Sequence, residues 1–513
     1  MVLQDGKRGT ILRDIITGNA IKYPRKTAVV FGDKKYSYSE FNARVNSLVQ
    51  AFSSAGLKKG DRLAVLADNC NQFVELWFAG FKSGIVVVPL NTGLKKPELS
   101  YIINDCEASV LVLSEKYLPI VDELRPQLST IDSVLLIGDE REGFYNYEQL
   151  LSAYPPDEPE VTLNEDEVAC LMYTSGTTGL PKGVMLSHRN LMAHTITQTM
   201  VYRFKPDEVS LAVMPLFYNS VTIDTFPHLY VGSTVVVLKT LDPETILQAI
   251  GKERATFFIA LPFLIIPLLE HPNINKYNHS SLRYIDTGSA PLPGEVFRKA
   301  RETFGDIFYF TYGQTEATSQ LTVRRPEETT EERSRSCGRE MPNIEVRVVT
   351  EMGEDVAPGE IGEVIARADS IMKGYWRKPE ATAQALVEGY LHTGDLATVD
   401  EEGYIYIADR KKDIIISGGK TIYSPEVEEV IYSHPAVLEA AVIGVPHHEM
   451  GELVRAVVVL KARSQATEKE IIAFCQQKLE DYKCPAAVSF TDKLLRNPSG
   501  KVLKNLLREK YSE

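Results

Sequence analysis

The sequence predicts an α/β protein: a large N-terminal domain of two βαβ-type lobes, followed by a small α+β C-terminal domain. Three observations carry the prediction. Short β-branched runs alternate with helical patterns through 62–114, the same alternation returns through 205–315, and the texture changes to short strands with single helices beyond about 404. At 513 residues the chain has room for two to four domains of roughly 100–200 residues each.

In the first stretch Arg62–Ala67 (RLAVLA) reads as a strand, Gln72–Ser83 as a helix and Gly84–Leu90 (GIVVVPL) as a strand. A helix near Lys96–Asn104 and a strand at Ser109–Ser114 follow. Such alternation builds βαβ units and a mainly parallel sheet covered by helices on both faces. The polar, proline-rich segment Tyr154–Asp166 reads as a connection to the second stretch. There, apolar strands are expected at Ser233–Leu238, Thr256–Leu261 and Arg283–Thr287. Toward the C-terminus Tyr404–Ile407 and Asp413–Ile416 read as short strands. Ser424-Pro425 reads as an N-cap followed by proline at the first helical position. Thr467–Glu470 fits a capping box ahead of Ile471-Ile472. The boundary falls near Asp409–Asp413, which divides the chain into 1–411 and 412–513.

Bulk properties narrow the class. The chain is 44% hydrophobic and 24% charged, as in ordinary globular proteins. Its net charge of -13 is opposite to that of a phosphate-tracking nucleic-acid binder, and Lys411-Lys412 is a small exception to that balance. The six cysteines (Cys70, Cys106, Cys170, Cys337, Cys475, Cys484) form no CxxC pair, so reduced thiols in a cytoplasmic protein are expected. The N-terminal segment lacks the apolar centre of a signal peptide. The most apolar stretch, Phe257–Leu269, contains Pro262 and Pro267 and is shorter than the ~20 residues a transmembrane helix needs, so it reads as a buried strand and helix start.

The segment with most chemistry is Tyr173–Gly183, YTSGTTGLPKG. A strand, Ala169–Tyr173, runs into it, a strand-like run Val184–Leu186 leaves it, and Ser187 is placed to cap a helix. Thr174, Ser175, Thr177 and Thr178 offer hydroxyls, and Gly176 and Gly179 admit positive φ and close approach of a ligand. Backbone N–H groups and hydroxyls together surround a polyphosphate well, and Lys182 adds positive charge. A Walker A loop is excluded, because that motif leads its GK[ST] directly into a helix. A bare SGTTG would be an ordinary turn; Pro181-Lys182-Gly183 in register favours a phosphate site.

Together with Tyr312–Glu316 (YGQTE), Gly389–Leu396 (GYLHTGDL), Asp409–Tyr423 (DRKKDIIISGGKTIY) and Asn497–Lys501 (NPSGK), the loop makes the sequence resemble the adenylate-forming superfamily. That superfamily includes acyl-CoA synthetases, nonribosomal adenylation domains and firefly luciferase, and here the resemblance spans essentially the whole chain with the motifs in family order. It implies a small barrel-like portion within the large domain, a mobile small domain, and a two-step reaction. A carboxylate attacks the α-phosphate of ATP, pyrophosphate leaves, and CoA then takes the acyl group. The resemblance assigns Lys501, Glu316 and Thr315 to catalysis. Lys501 would bridge the carboxylate and the phosphate, Glu316 would hold Mg²⁺, and Thr315 would contact the α-phosphate. Gly288, Ser289, Ala290 and Tyr312 are expected at adenine. Asp395 and Arg410 are expected at the ribose, where an ionised carboxylate accepts from both hydroxyls.

Lys412 matches the family's hinge, and Gly418-Gly419 match the segment lining the passage for CoA. For the acid, amino-acid-activating relatives carry an FDxS string whose Asp binds the α-ammonium. The corresponding run here is Phe217-Tyr218-Asn219-Ser220, which disfavours an α-amino acid. Many acyl-CoA ligases place His where Tyr218 stands. Phe217, Tyr218 and Asn219 are therefore candidates for the acyl pocket, and fatty, short branched, aromatic and carnitine-like acids all stay open. The chain ends at Glu513 with no carrier domain after the lysine motif, so free CoA is the expected acceptor and a separate carrier protein the alternative. A catalytically silent nucleotide-binding relative is the reading of another class. The oligomeric state is left open, a homodimer included.

Overall fold

In the computed structural model the described residues are 11–174, 180–289, 292, 294–496 and 502–511. Among them the large N-terminal part is built on two sheets. An eight-stranded sheet runs in the order Gly374–Tyr375, Lys182–Ser187, Val168–Thr174, Val86–Pro89, Arg62–Leu66, Ala108–Ser114, Ser133–Ile137, Tyr145–Asn146. From Val168–Thr174 to Tyr145–Asn146 neighbours are parallel, and the first two strands close one edge antiparallel. The second, nine-stranded sheet has a parallel centre of Phe308–Gln314, Tyr284–Gly288, Phe257–Ile259, Val209–Ala212, Thr234–Val237 and Thr27–Phe31.

The expected strands are present, most of them within a residue or two of their predicted ends. Their apolar runs follow from burial on both faces. In Arg62–Leu66, Leu63 and Val65 join the core between the two sheets, while Ala64 and Leu66 join the core on the outer side. Helix Asn71–Ser83 lies in the inter-sheet core and is buried at every position but its last. Its Trp77 and Phe81 pack on Phe226 with ring centroids 5.6 and 5.2 Å apart, and it stops at Gly84, which takes φ +76.

Two sequence expectations are corrected. The Tyr154–Asp166 segment has no regular structure, as expected, yet it does not separate the lobes. The strands after it, Val168–Thr174 and Lys182–Ser187, return to the first sheet, so the chain, which began in the second sheet with Thr27–Phe31, re-enters that sheet only after helix His188–Tyr202. Its composition marked a loop and carried no information on which sheet comes next. Nor is the segment slack. Buried Lys82 donates to Glu158 Oε1 (2.6 Å) and to the Oδ1 atoms of Asn42 and Asn46 (both 2.7 Å). Burial holds the Lys82 ammonium down to about 8 against the pull of Glu158.

A third, antiparallel sheet of Glu345–Val349, Gly362–Arg367, Tyr390–Val399, Leu386–Val387 and Ile405–Arg410 closes over its own small core of Val348, Val364, Ala397 and Ile405. The strand read at Tyr404–Ile407 thus belongs to the large domain. The C-terminal unit follows, with strands Ile415–Ser417, Lys420–Ile422, Val437–His447, Gly451–Leu460 and Ala487–Phe490 packed with helices Ser424–Tyr432, Glu468–Gln476 and Lys504–Tyr511. The predicted capping box at Thr467 is formed, and Ser187 caps its helix as expected, in a box completed by Asn190. Ser424, by contrast, is the first helical residue and not the cap. The second correction has a clear cause: a carboxylate from outside the segment, Asp409, accepts from both Ser424 N and Oγ at 2.8 Å.

Candidate active site

Strands Val168–Thr174 and Lys182–Ser187 form a hairpin with Thr174 opposite Lys182, the two ends of the glycine-rich segment. Ser175, Gly176, Thr177, Thr178 and Gly179 lie outside the described residues, as do Ala290 and Lys501. Tyr173 ties down the end of the first of these strands. Tyr173 OH donates to Asp105 Oδ2 at 2.5 Å, and a Cβ added to Gly183 would stand 3.0 Å from the Tyr173 ring.

The next strand in this sheet, Gly374–Tyr375, sets Tyr375 opposite Val184. The Lys182 ammonium lies 4.2 Å from the Tyr375 ring centroid, and Tyr375 OH donates to Glu316 Oε1 at 2.9 Å. Burial, with Glu316 adding to it, pushes the Tyr375 phenol far above its ordinary range, so it stays a donor. Met372 N donates to the Glu316 carbonyl at 2.8 Å. A line Lys182–Tyr375–Glu316 therefore joins the loop to the carboxylate assigned to the metal. Tyr375 was not foreseen; a Gly-Tyr-Trp string is its whole sequence signal, and its role arises from pairing across the sheet edge.

The residues expected at the nucleotide are linked by strand pairing and side-chain bonds. Gly288 is paired with Thr311 on the adjacent strand. A Cβ at Gly288 would fall 2.5 Å from Thr311 O, so only glycine fits this approach. Ser289 follows at φ +63. Tyr312 OH donates to Asp395 Oδ2 at 2.7 Å, and Arg410 Nε lies 3.1 Å from Asp395 Oδ1. Asp395 and Arg410 face each other across two antiparallel strands. Asp395 is buried, and a carboxylate's roughly four lone-pair sites leave it able to accept further bonds. Beneath these residues, buried Asp286 accepts from Thr311 Oγ1 (2.9 Å) and Gln320 Nε2 (2.5 Å), and burial pushes its carboxyl up to about 6. This floor, too, was missed, since its members are remote in sequence.

Thr315 and Glu316 form a single 3₁₀ turn with Ala317, at the end of the strand that carries Tyr312. Phe217 is buried against Tyr218 with ring centroids 4.5 Å apart, and Asn91 Nδ2 donates to Tyr218 OH at 3.4 Å. The Asn219 carbonyl accepts from Thr222 Oγ1 at 2.7 Å. Lys412 is exposed. Gly418 and Gly419 make the turn between two C-terminal strands at φ +56 and +76 and are exposed. Among the described residues no group of three or more His, Cys, Asp or Glu forms a metal cage. Among the described residues, too, no helix is long and apolar enough to cross a membrane.

This geometry can be set beside known proteins. The family model described as AMP-binding enzyme matches residues 17–376, and that of the AMP-binding enzyme C-terminal domain matches residues 426–501. A feruloyl-CoA synthase of Amycolatopsis sp is 37% identical over 490 residues, covering 95% of this chain and 96% of that protein. A long-chain-fatty-acid–CoA ligase of Bacillus subtilis is 34% identical, covering 98% of this chain and 95% of its own length. ATP-bound MatB from Rhodopseudomonas palustris superposes with a TM-score of 0.90 at 30% identity, over 98% of this chain and 99% of that one. The apo structure of that protein gives 0.78 at 31% identity, with coverage of 98% and 99%. The chain belongs to the AMP-binding enzyme family. Within it, the chain is an AMP-forming acid–thiol ligase.

Proposed function

We propose that the protein converts a carboxylic acid, ATP and CoA into an acyl-CoA, AMP and pyrophosphate through an enzyme-held acyl-adenylate. The observation that carries this reading is the double tether of one short segment. Tyr312 is bonded to Asp395 and Glu316 to Tyr375, so the ribose-side and phosphate-side groups are fixed four residues apart in a single strand and turn.

In the first half-reaction a carboxylate oxygen forms a bond to the α-phosphorus and the bond to the pyrophosphate oxygen breaks. Two anions must meet, so the chain supplies positive charge. Lys182 is placed at the loop, and Lys501 is assigned to the approaching carboxylate and α-phosphate. Thr315 is proposed for an α-phosphate oxygen, Tyr312 and Gly288 for adenine, and Asp395 and Arg410 for the ribose. Mg²⁺ fits the donor set. It is commonly held by one or two carboxylates together with substrate phosphates and not by an all-protein cage, and Glu316, with the hydroxyl of Thr315 next to it in sequence, offers such hard oxygens. When bound it would neutralise phosphate charge. In the second half-reaction the CoA sulfur bonds to the acyl carbon and AMP leaves with the electron pair. Rotation at Lys412, dividing 1–411 from 412–513, would bring Gly418-Gly419 to line the thiol's passage.

Phe217, Tyr218 and Asn219 are proposed for the acyl side. The relatives named for feruloyl and for long-chain fatty acyl groups bracket the choice of acid. The unpaired, largely buried cysteines suit the cytoplasm. The test is a panel of aromatic and aliphatic acids with ATP, Mg²⁺ and CoA, scored by AMP release, with carrier protein replacing CoA in a parallel arm. ATP binding without acid-dependent pyrophosphate release from any acid would overturn the ligase reading.

A further inference from the structure

Asp409 stands on the last strand of the large domain, Ile405–Arg410, where it pairs with Leu396. The strand register fixes it to that domain. Its side chain nevertheless serves the other one. Oδ2 accepts from Ser424 N and Ser424 Oγ, both at 2.8 Å, and Oδ1 accepts from Arg410 N at 2.8 Å. Asp409 is 5% exposed. The helix it caps, Ser424–Tyr432, has no cap of its own, since Tyr423 at the N-cap position makes no side-chain bond to the first turn. A carboxylate at a helix N-terminus satisfies an orphan N–H and complements the helix dipole.

The bonding continues toward the segment that carries Lys501. Lys504 Nζ donates to Ser424 Oγ at 2.6 Å and pairs with Glu428 at 2.7 Å. Lys504 opens helix Lys504–Tyr511, three residues beyond Lys501, and Arg508 on that helix pairs with Asp413 at 3.0 Å, next to the hinge position. Large domain, first small-domain helix and the helix following the lysine motif are thus joined as Asp409–Ser424–Lys504.

Ser424 lies twelve residues past Lys412 and is tied to the small domain through strands Ile415–Ser417 and Lys420–Ile422. A rotation at Lys412 therefore separates Ser424 from Asp409. The arrangement seen here has Gly418 and Gly419 exposed; a Cβ on Gly419 would meet nothing within 4 Å, and one on Gly418 would meet only the Met450 side chain of the same small domain. It also matches ATP-bound MatB more closely than apo MatB, with TM-scores of 0.90 and 0.78.

We infer that Asp409 is a positioning residue for adenylation: by capping the small domain's first helix it holds the arrangement in which the Lys501 loop serves the first half-reaction, and release of that cap accompanies the turn toward thioester formation. This inference rests on the two-step ligase reading above.

The experiment measures the half-reactions separately, acid-dependent ATP–pyrophosphate exchange for the first and CoA thioester formation from added acyl-adenylate for the second. It uses wild type, Asp409→Ala, Asp409→Asn and Ser424→Ala. Exchange in Asp409→Ala is expected to fall about tenfold or more, the loss of at least one charge-assisted hydrogen bond, while thioester formation stays within about twofold. Asp409→Asn, which keeps an acceptor oxygen, should recover part of the exchange. Ser424→Ala should shift the ratio of the two rates in the same direction, and the effects of Asp409→Ala and Ser424→Ala should be non-additive. An equal fall in both half-reactions, or no change in either, overturns the inference. Should Asp409→Ala not fold, as judged by thermal unfolding, the Asn and Ser424 variants decide by the same ratio. A wild type without acid-dependent exchange would sink the ligase reading itself, whereas an active wild type with unchanged ratios sinks the role of Asp409 alone.

Discussion

Replacing Tyr375 by Phe removes one oxygen and leaves the ring. The hydroxyl donates to Glu316 Oε1 at 2.9 Å, while the ring faces the Lys182 ammonium at 4.2 Å. The substitution therefore cuts the metal-side tether and spares the loop-side contact. A hydrogen bond to a charged partner contributes roughly 1.5–3 kcal/mol, or about 10- to 150-fold in a rate or binding constant. Glu316 keeps its backbone anchor to Met372, so the main chain stays in place and only the carboxylate's orientation is released. The lower end, about tenfold, is the expected loss in acid-dependent ATP–pyrophosphate exchange, with a raised Mg²⁺ concentration for half-maximal rate. Calorimetric titration should show weakened ATP binding with Mg²⁺ and little change without it. Tyr375→Leu should lose more, because the cation–π contact, about 0.5–2 kcal/mol, goes as well. A Phe variant equal to wild type at every Mg²⁺ concentration would refute the proposal that this hydroxyl orients Glu316.

Other expectations concern the lysine motif, the hinge and the buried core. Lys501→Ala should abolish most pyrophosphate exchange and leave the thermal unfolding midpoint near that of wild type; near-normal exchange would remove Lys501 from the mechanism. Lys412→Pro fixes a backbone angle that the turn must change, so thioester formation should suffer more than adenylation, and equal loss would argue against a hinge there. His228 is fully buried, neither ring nitrogen has a partner among the described residues, and burial lowers it from 6.5 to about 3. A folded-state value below the unfolded one means stability present above pH 6.5 and lost as pH falls toward 3, because the unfolded chain binds the proton first. His228→Phe abolishes that term and suits the Phe204 and Phe257 rings packed around it. Its stability advantage over wild type should grow by about 2 kcal/mol between pH 8 and pH 5 in denaturant titrations; a gap that is flat or narrows on acidification would contradict this.

What the sequence disclosed was local. Strands such as Arg62–Leu66 and Thr234–Val237 were visible because burial on both faces demands apolar runs. The caps at Ser187 and Thr467 were visible because both partners lie within one turn. The site residues came from short strings, and the structure links Tyr312, Asp395 and Arg410 through side-chain bonds, with Gly288 on the strand beside Tyr312. Long-range partners were hidden. Ser424 looked like a self-sufficient cap until Asp409 was found in that role, fifteen residues back and in the other domain. Tyr375 and the Asp286 floor depend on which strands become neighbours, and Tyr154–Asp166 showed a loop without showing that the chain returns to the first sheet. Pairing across a sheet is fixed by the whole fold, so composition near a residue does not report it.

The strand Thr27–Phe31 lies in the second sheet, with Val29 beside Val235. During synthesis this strand leaves the ribosome long before its partner exists. At about 5–20 residues per second, the 205 residues between Val29 and Val235 take on the order of 10–40 s to appear. For that interval a β-branched edge and the helices packed behind it have no completed sheet to join. The nascent chain is thus exposed to wrong pairing early, and a cut between the lobes would not yield two units that fold alone, since each sheet needs residues from both sides of the cut.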